Sequence, residues 1–133
     1  MILVDSSVLI DLLEKTPQWF EWSAEALFAA TKSDRVGVNA IIFAEISRTF
    51  SSLTEQQLFL KSTGIEFVHV PAAAAFAASQ AHRAYRAAGG SRSATLPDFF
   101  IGAHALVDGH TLMTRDARRM HTYFPDVPVI SPL

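Results

Sequence analysis

Met1-Ile2-Leu3-Val4-Asp5-Ser6-Ser7 is the stretch that decides how the rest of the chain is read. A continuous apolar run this short suits a strand buried on both faces, as in a parallel sheet with helices above and below. It stops at a carboxylate and two hydroxyls, whose oxygens accept from the free N–H groups at a helix start. Ile2 to Val4 therefore reads as a central strand with Asp5 at its carboxyl end. In open α/β sheets ligands bind at that end.

Working outward, helical spacing of Val8, Leu9, Leu12 and Leu13 predicts a helix from Ser7 to Lys15, ended by Thr16-Pro17. A second helix is expected from Pro17 to about Lys32, with proline in its first turn. Its Trp19, Phe20, Trp22, Leu27 and Phe28 are read either as core or as a partner or dimer face. Val36-Gly37-Val38 reads as a strand, followed by a helix from Ala40 to Phe50 capped by Asn39. Thr54 is the expected cap of the next helix, Glu55 to Ser62. After Gly64 come a strand from Glu66 to Val70 and an alanine-rich helix from Pro71 to about Ala88. Its His82, Arg83 and Arg86 form either a solvated face or a nucleic-acid contact. The loop Gly89 to Ser93 leads to a helix from Leu96 to Val107. A strand Thr111 to Thr114, a helix from Ala117 to Tyr123 and a strand Val127 to Ile130 complete the chain. Strands alternating with helices predict an α/β fold, a central parallel β-sheet flanked by helices in three layers.

The chain of 133 residues suits a single domain, 1–133, with a substantial core. Half of it is hydrophobic and 18% charged, which excludes a disordered chain. A net charge of −2 excludes a strongly basic nucleic-acid binder, yet the charge is uneven. Residues 1–66 carry nine acids against five Lys/Arg, net −4, whereas residues 67–133 carry four acids against six Arg, net +2. A basic face in the second half is therefore possible. Zero cysteines exclude disulfides and thiolate metal sites. No apolar run reaches the roughly 18 residues of a membrane span, and no signal peptide is recognised. The expectation is a soluble, cytoplasmic protein without membrane attachment.

Most of the acids, Asp11, Glu14, Glu21, Glu25, Asp34, Glu55, Asp108 and Asp126, fall where solvent is expected. Four others stand apart. Asp5 and Asp116 each follow an apolar strand, so neighbouring parallel strands would bring them to one sheet edge. Glu45 is the lone charge in Ala40-Ile41-Ile42-Phe43-Ala44-Glu45-Ile46, and Asp98 opens the nearly charge-free Leu96-Pro97-Asp98-Phe99-Phe100-Ile101. Each also has a structural reading: Asp5 and Asp116 as N-caps, Thr95-x-x-Asp98 as a capping box, Glu45 as a boundary residue. Taken together, four acids at one edge require protons or a cation, since carboxylates ~5 Å apart repel by about 3 kcal/mol at an effective dielectric of ~20. With no cysteine and no histidine beside them, their oxygens point to Mg²⁺ or Mn²⁺.

The runs Val4-Asp5-Ser6-Ser7-Val8-Leu9-Ile10-Asp11, Asp98-Phe99-Phe100-Ile101-Gly102-Ala103-His104-Ala105 and Leu112-Met113-Thr114-Arg115-Asp116, with the lone Glu45 between them, resemble a PIN domain. Within that family the chain is most similar to the VapC toxins of bacterial toxin–antitoxin pairs. The resemblance implies a PIN-like fold and Mg²⁺- or Mn²⁺-dependent endoribonuclease activity. It implies Asp5, Glu45, Asp98 and Asp116 as the metal-binding catalytic acids, with Ser6, Ser7 and Thr114 as polar support. It further implies a homodimer inhibited by a small antitoxin protein. Hydrolysis by that route leaves a 5′-phosphate and a 3′-hydroxyl. Arg115, and after it Arg92, are the expected phosphate contacts, or else surface ion pairs. His104 is given no catalytic role. Three rival classes are weaker. A Mg²⁺-binding phospho-receiver domain needs a late lysine, and the chain has only Lys15, Lys32 and Lys61; a related phosphatase needs an acid where Ser7 stands. A silent PIN-like module that only binds RNA or protein would not need all four acids.

Overall fold

The computed structural model describes residues 1–90 and 95–132. Strand β1 (Ile2–Val4) leads into helix α1 (Ser6–Glu14), then α2 (Phe20–Ser33), β2 (Val36–Val38) and α3 (Ala40–Ile46). A 3₁₀ turn at Ser47–Thr49 precedes α4 (Leu53–Thr63), β3 (Ile65–Phe67) and α5 (Ala72–Ala87). Helix α6 (Leu96–Asp108), β4 (Thr111–Met113), α7 (Arg118–Tyr123) and β5 (Val129–Ile130) follow. The five strands pair in the order β3-β2-β1-β4-β5, all parallel, so the apolar run that opens the chain is the central strand. The α/β fold expected from the sequence is the one observed.

Burial explains why β1 is central. Ile2, Leu3 and Val4 are all buried, as are Val8 and Leu9 on the first turns of α1. Each such side chain contributes about 2 kcal/mol over an exposed one. Chain order reverses around β1, with β2 and β3 on one side and β4 and β5 on the other. The crevice between β1 and β4 is thus the topological switch point, where α/β sheets place their ligands. Val4 is in register with Met113, and the Asp5 N–H donates to the Met113 carbonyl at 2.8 Å. Asp5 and Thr114 therefore leave the sheet side by side.

Several boundaries differ from the sequence reading for local reasons. Lys15 turns left-handed (φ 50°) to end α1, and the Thr16 carbonyl accepts from the N–H groups of Trp19 and Phe20. Pro17 to Trp19 is consequently a turn, and α2 begins at Phe20 rather than Pro17. Helix α3 stops at Ile46 rather than Phe50. The Ser47 hydroxyl and the Gln56 side-chain amide both donate to the Phe43 carbonyl at 2.8 Å, diverting it from the helix ladder. Helix α4 is capped by Ser52, whose Oγ accepts from the Glu55 N–H at 3.1 Å, and not by Thr54. The aromatic set of α2 divides. Leu27 is buried and Trp19, Phe20 and Trp22 are half-buried, while Phe28 is exposed beneath the Lys32 ammonium. Among the described residues no helix is long and apolar enough to cross a membrane.

Candidate active site

Asp5 caps α1, with its Oδ1 accepting from the Ser6 N–H at 2.9 Å. Its Oδ2 accepts from two hydroxyls, Ser7 Oγ at 2.9 Å and Thr114 Oγ1 at 2.8 Å. The N-cap role is real, and it holds the carboxylate in place. Burial pushes the Asp5 carboxyl above its ordinary range, the hydrogen bonds from Thr114, Ser7 and Ser6 oppose that rise, and the charge of Asp98 adds to it. Thr114 in turn accepts the Asp116 N–H at 3.2 Å, so one buried hydroxyl joins the backbone of Asp116 to the carboxylate of Asp5.

Glu45 arrives on α3, whose start Asn39 caps by accepting the Ile42 N–H at 3.0 Å. Although Glu45 is exposed as a residue, desolvation raises its carboxyl, a hydrogen bond from Ser6 lowers it, and the charges of Asp5 and Asp98 raise it. Asp98 is the N3 acid of a capping box on α6: its Oδ2 accepts from the Thr95 N–H at 2.9 Å and the Thr95 hydroxyl at 3.0 Å. Arg119 also reaches that Oδ2, at 3.1 Å. All three contacts converge on Oδ2, which leaves Oδ1 without a partner among the described residues. Asp116 is exposed, and its Oδ1 accepts the Arg118 N–H at 3.2 Å.

Asp5, Glu45 and Asp98 thus feel one another's charge, and Thr114 ties Asp116 to Asp5. The cluster is open: among the described residues, no three of these acids bring ligand atoms within 4.8 Å of one another. Carboxylates held near each other in partly dry surroundings either take up protons or bind a cation. Their donors are all oxygen, the set preferred by hard divalent ions.

The sequence model of the PIN domain matches residues 2–125. The chain belongs to the PIN domain family. Solved structures agree on the fold. This PIN domain aligns with a chain of VapBC-1 from nontypeable Haemophilus influenzae over 98% of each chain, with 18% identity and a TM-score of 0.73. A toxin–antitoxin complex from Klebsiella pneumoniae aligns over 100% of this chain and 98% of that one, at 19% identity and a TM-score of 0.72. FitAcB from Neisseria gonorrhoeae aligns over 99% and 98%, at 21% and 0.67. No curated protein matches the chain in sequence.

Two residues of this PIN domain depart from the sequence reading. Asp11, expected in solvent, is fully buried; it accepts from Ser23 Oγ at 2.8 Å and faces the Arg115 guanidinium, Nε to Oδ2, at 3.0 Å. That Arg115 N–H is not directed at the oxygen, and Asp11 Oδ1 is buried with no hydrogen-bond partner among the described residues. Arg115 is therefore engaged inward: it sits on Asp11 and against the Trp19 ring (5.6 Å), and its backbone N–H donates to Ser7 Oγ at 3.2 Å. It does form an ion pair, but with a buried acid rather than the surface pair the sequence suggested. Arg92 lies outside the described residues. The signal for Asp11 was present, a single charge in Val8-Leu9-Ile10-Asp11-Leu12-Leu13, the same feature that singled out Glu45. Arg119 had no such signal, because only the docking of α7 beside α6 brings it to Asp98.

The cations around the site are now distinguishable. Arg83 and Arg86 are exposed on α5, with no ion pair among the described residues, and line an open hollow with Ser79, His82 and Ala87. His82 packs against Phe99, the neighbour of Asp98, at 5.3 Å between ring centroids. Arg118 and His121 line a second hollow together with Arg115 and Asp116.

Proposed function

We propose that this PIN domain is a divalent-metal-dependent endoribonuclease and the toxin of a toxin–antitoxin pair. The observation that carries the enzymatic reading is geometric: at the carboxyl edge of the sheet one Thr114 hydroxyl holds both the Asp5 carboxylate and the Asp116 N–H, while burial and neighbouring acids raise the Asp5 and Glu45 carboxyls. The toxin reading is supported by the shared fold with chains of toxin–antitoxin complexes. It carries with it a small antitoxin protein as partner and a homodimer as the working form.

The residues fit Mg²⁺ or Mn²⁺. Among the described residues nothing donates to Asp98 Oδ1, Asp5 is buried enough that a cation would relieve its desolvation, and every donor is a carboxylate oxygen. Asp5 and Asp98 would hold the ion, with Glu45 and Asp116 joining directly or through water. A cation bound there supplies Lewis acidity to a phosphoryl oxygen and lowers the pKa of water. The protein supplies the rest. Ser7 and Thr114 fix the Asp5 carboxylate, and Arg119 draws off part of the charge of Asp98. Glu45, on α3 and within reach of the charges of Asp5 and Asp98, would be placed to join the cation or to take a proton from a water beside it. In the reaction a water oxygen forms a bond to phosphorus as the bond to the 3′-oxygen breaks, leaving a 5′-phosphate and a 3′-hydroxyl. Arg83, Arg86 and Arg118 provide positive charge for the RNA backbone on the flanks of the acidic centre.

The test is cleavage of total cellular RNA in Mg²⁺ or Mn²⁺ by wild type and by Asp98→Asn, with EDTA as control. Cleavage by wild type alone, abolished by EDTA and giving 5′-phosphate ends, is expected. Equal cleavage by a folded Asp98→Asn protein would overturn the assignment.

A further inference from the structure

We propose that His104, Asp108 and His110 form a second cation site, built for Zn²⁺ or a similar borderline divalent ion, apart from the acidic centre. They stand where α6 ends and β4 begins, at the edge of the sheet opposite to Asp5 and Asp116. Among the described residues this is the one group of three histidines and acids whose ligand atoms all lie within 4.8 Å of one another. His104 Nε2 is 3.1 Å from Asp108 Oδ2, and His110 Nε2 is 3.8 Å from the same oxygen.

Those spacings suit a small tetrahedral ion. With bonds of ~2.0–2.1 Å, neighbouring ligand atoms around zinc stand about 3.3 Å apart. Two edges of the tetrahedron are therefore within about half an ångström of their final length. Two imidazoles and a carboxylate favour Zn²⁺ over Mg²⁺, which prefers oxygen ligands in an octahedron. His104 is fully buried, whereas His110 and Asp108 reach the surface, with side chains 15% and 36% exposed. The site thus has a fixed inner wall, an entry path and room for a solvent ligand.

The site also has a connection to the catalytic face. Asn39 uses its Oδ1 to cap Ile42, so its Nδ2 faces His104 Nδ1, at 3.1 Å. Nδ1 must then be the acceptor, and the ring proton sits on Nε2, donating to Asp108. An ion at Nε2 requires that proton to leave; carried instead on Nδ1, it needs an acceptor. The Asn39 amide supplies one by rotating its oxygen toward His104, which releases the Ile42 N–H. Filling the second site therefore uncaps α3, the helix that carries Glu45.

The experiment is calorimetric titration of Zn²⁺ into the full chain with Mg²⁺ in large excess, using wild type, His110→Ala, Asp108→Asn and the double variant Asp5→Asn/Asp98→Asn. One zinc per chain is expected in wild type and in the double variant. Affinity should fall at least about tenfold in folded His110→Ala or Asp108→Asn. The same zinc should shift the ring ¹⁵N resonances of His104 and His110 and speed hydrogen exchange at the Ile42 amide. Absence of zinc uptake by folded wild type would overturn the proposal. So would uptake lost only in Asp5→Asn/Asp98→Asn, which would place the ion in the acidic centre. Neither readout depends on nuclease activity.

Discussion

Thr114 Oγ1 donates to Asp5 Oδ2 at 2.8 Å, joining residues 109 positions apart in the chain. Register places them together, because β1 and β4 are adjacent and Val4 pairs with Met113. The same hydroxyl accepts the Asp116 N–H, so one buried oxygen orients two of the four acids. Thr114→Val keeps the shape and removes both bonds. A stability loss of about 1 kcal/mol is expected, the ordinary net worth of such a hydrogen bond. Without the donor that holds its charged form, the Asp5 carboxyl rises further. Cleavage should then need more Mg²⁺ at neutral pH, and Thr114→Ser should restore it. A Mg²⁺ titration of initial cleavage rates reads the effect.

Asp5 sits above its ordinary proton affinity in the folded chain. A carboxyl raised by folding favours the folded state when protonated, so its ionisation destabilises. That cost is absent below the unfolded pKa and grows as pH rises through the folded one. Asp5→Asn is isosteric and uncharged, and its amide oxygen can still accept the Ser6 N–H. It should abolish cleavage, leave Tm unchanged or higher at neutral pH, and remove the Tm gain that Mg²⁺ confers on wild type. Thermal melts of both proteins with and without Mg²⁺ decide this; a lower Tm for the variant would contradict the reading.

The pH dependence of metal affinity has a definite sign. Both Asp5 and Glu45 are raised, and each must be ionised to bind a cation. As pH falls through their folded values they take up protons, so Mg²⁺ affinity should weaken at a higher pH than for ordinary exposed carboxylates. A series of Mg²⁺ titrations across mildly acidic pH, read by Tm shift, measures it. Affinity that holds until the normal carboxylate range would show that the acids are not coupled.

Asp11 and Arg115 lock the segment that carries Thr114 and Asp116 onto α1. Arg115→Met leaves Asp11 buried without its cation, and a loss of about 3 kcal/mol is expected, the low end for a broken buried pair. Asp11→Asn/Arg115→Met removes both charges and should recover much of that loss. Urea unfolding of the single and double variants forms the cycle. Additive losses would mean that the two side chains do not act as a pair.

Gly102 lies on α6, one turn after Asp98, where a Cβ would stand 2.4 Å from Phe124 Cδ2. Phe124 is buried, so it has little room to retreat. Gly102→Ala should cost about 1–3 kcal/mol through overpacking, despite alanine's better helix propensity. Chemical denaturation of the variant gives the number directly.

How far the sequence was legible differs between elements. Strand β1 was legible because both of its faces are buried, which turns a strand into a continuous apolar run. Asp98 was legible twice over, as the acid of a capping box and as an isolated charge, and it is both. The end of α3 was not, because Ser47 and Gln56 compete for the Phe43 carbonyl, and Gln56 comes from the following helix. The start of α2 is not legible, because a turn at Pro17 and a helix at Pro17 have the same local chemistry.

By itself the sequence determined the layered α/β architecture and the central place of the first strand, and it set four acids apart from the others, although Asp11, read as solvated, is fully buried. These follow from periodicity and from the cost of placing a charge in an apolar run, both local properties. Tertiary structure alone decided which charges neutralise each other. It sent Arg115 to Asp11 and Arg119 to Asp98, while leaving Arg83 and Arg86 exposed without an ionic partner among the described residues. Charge pairing depends on distances of a few ångströms between residues far apart in the chain, and only packed helices and a fixed strand register set those distances.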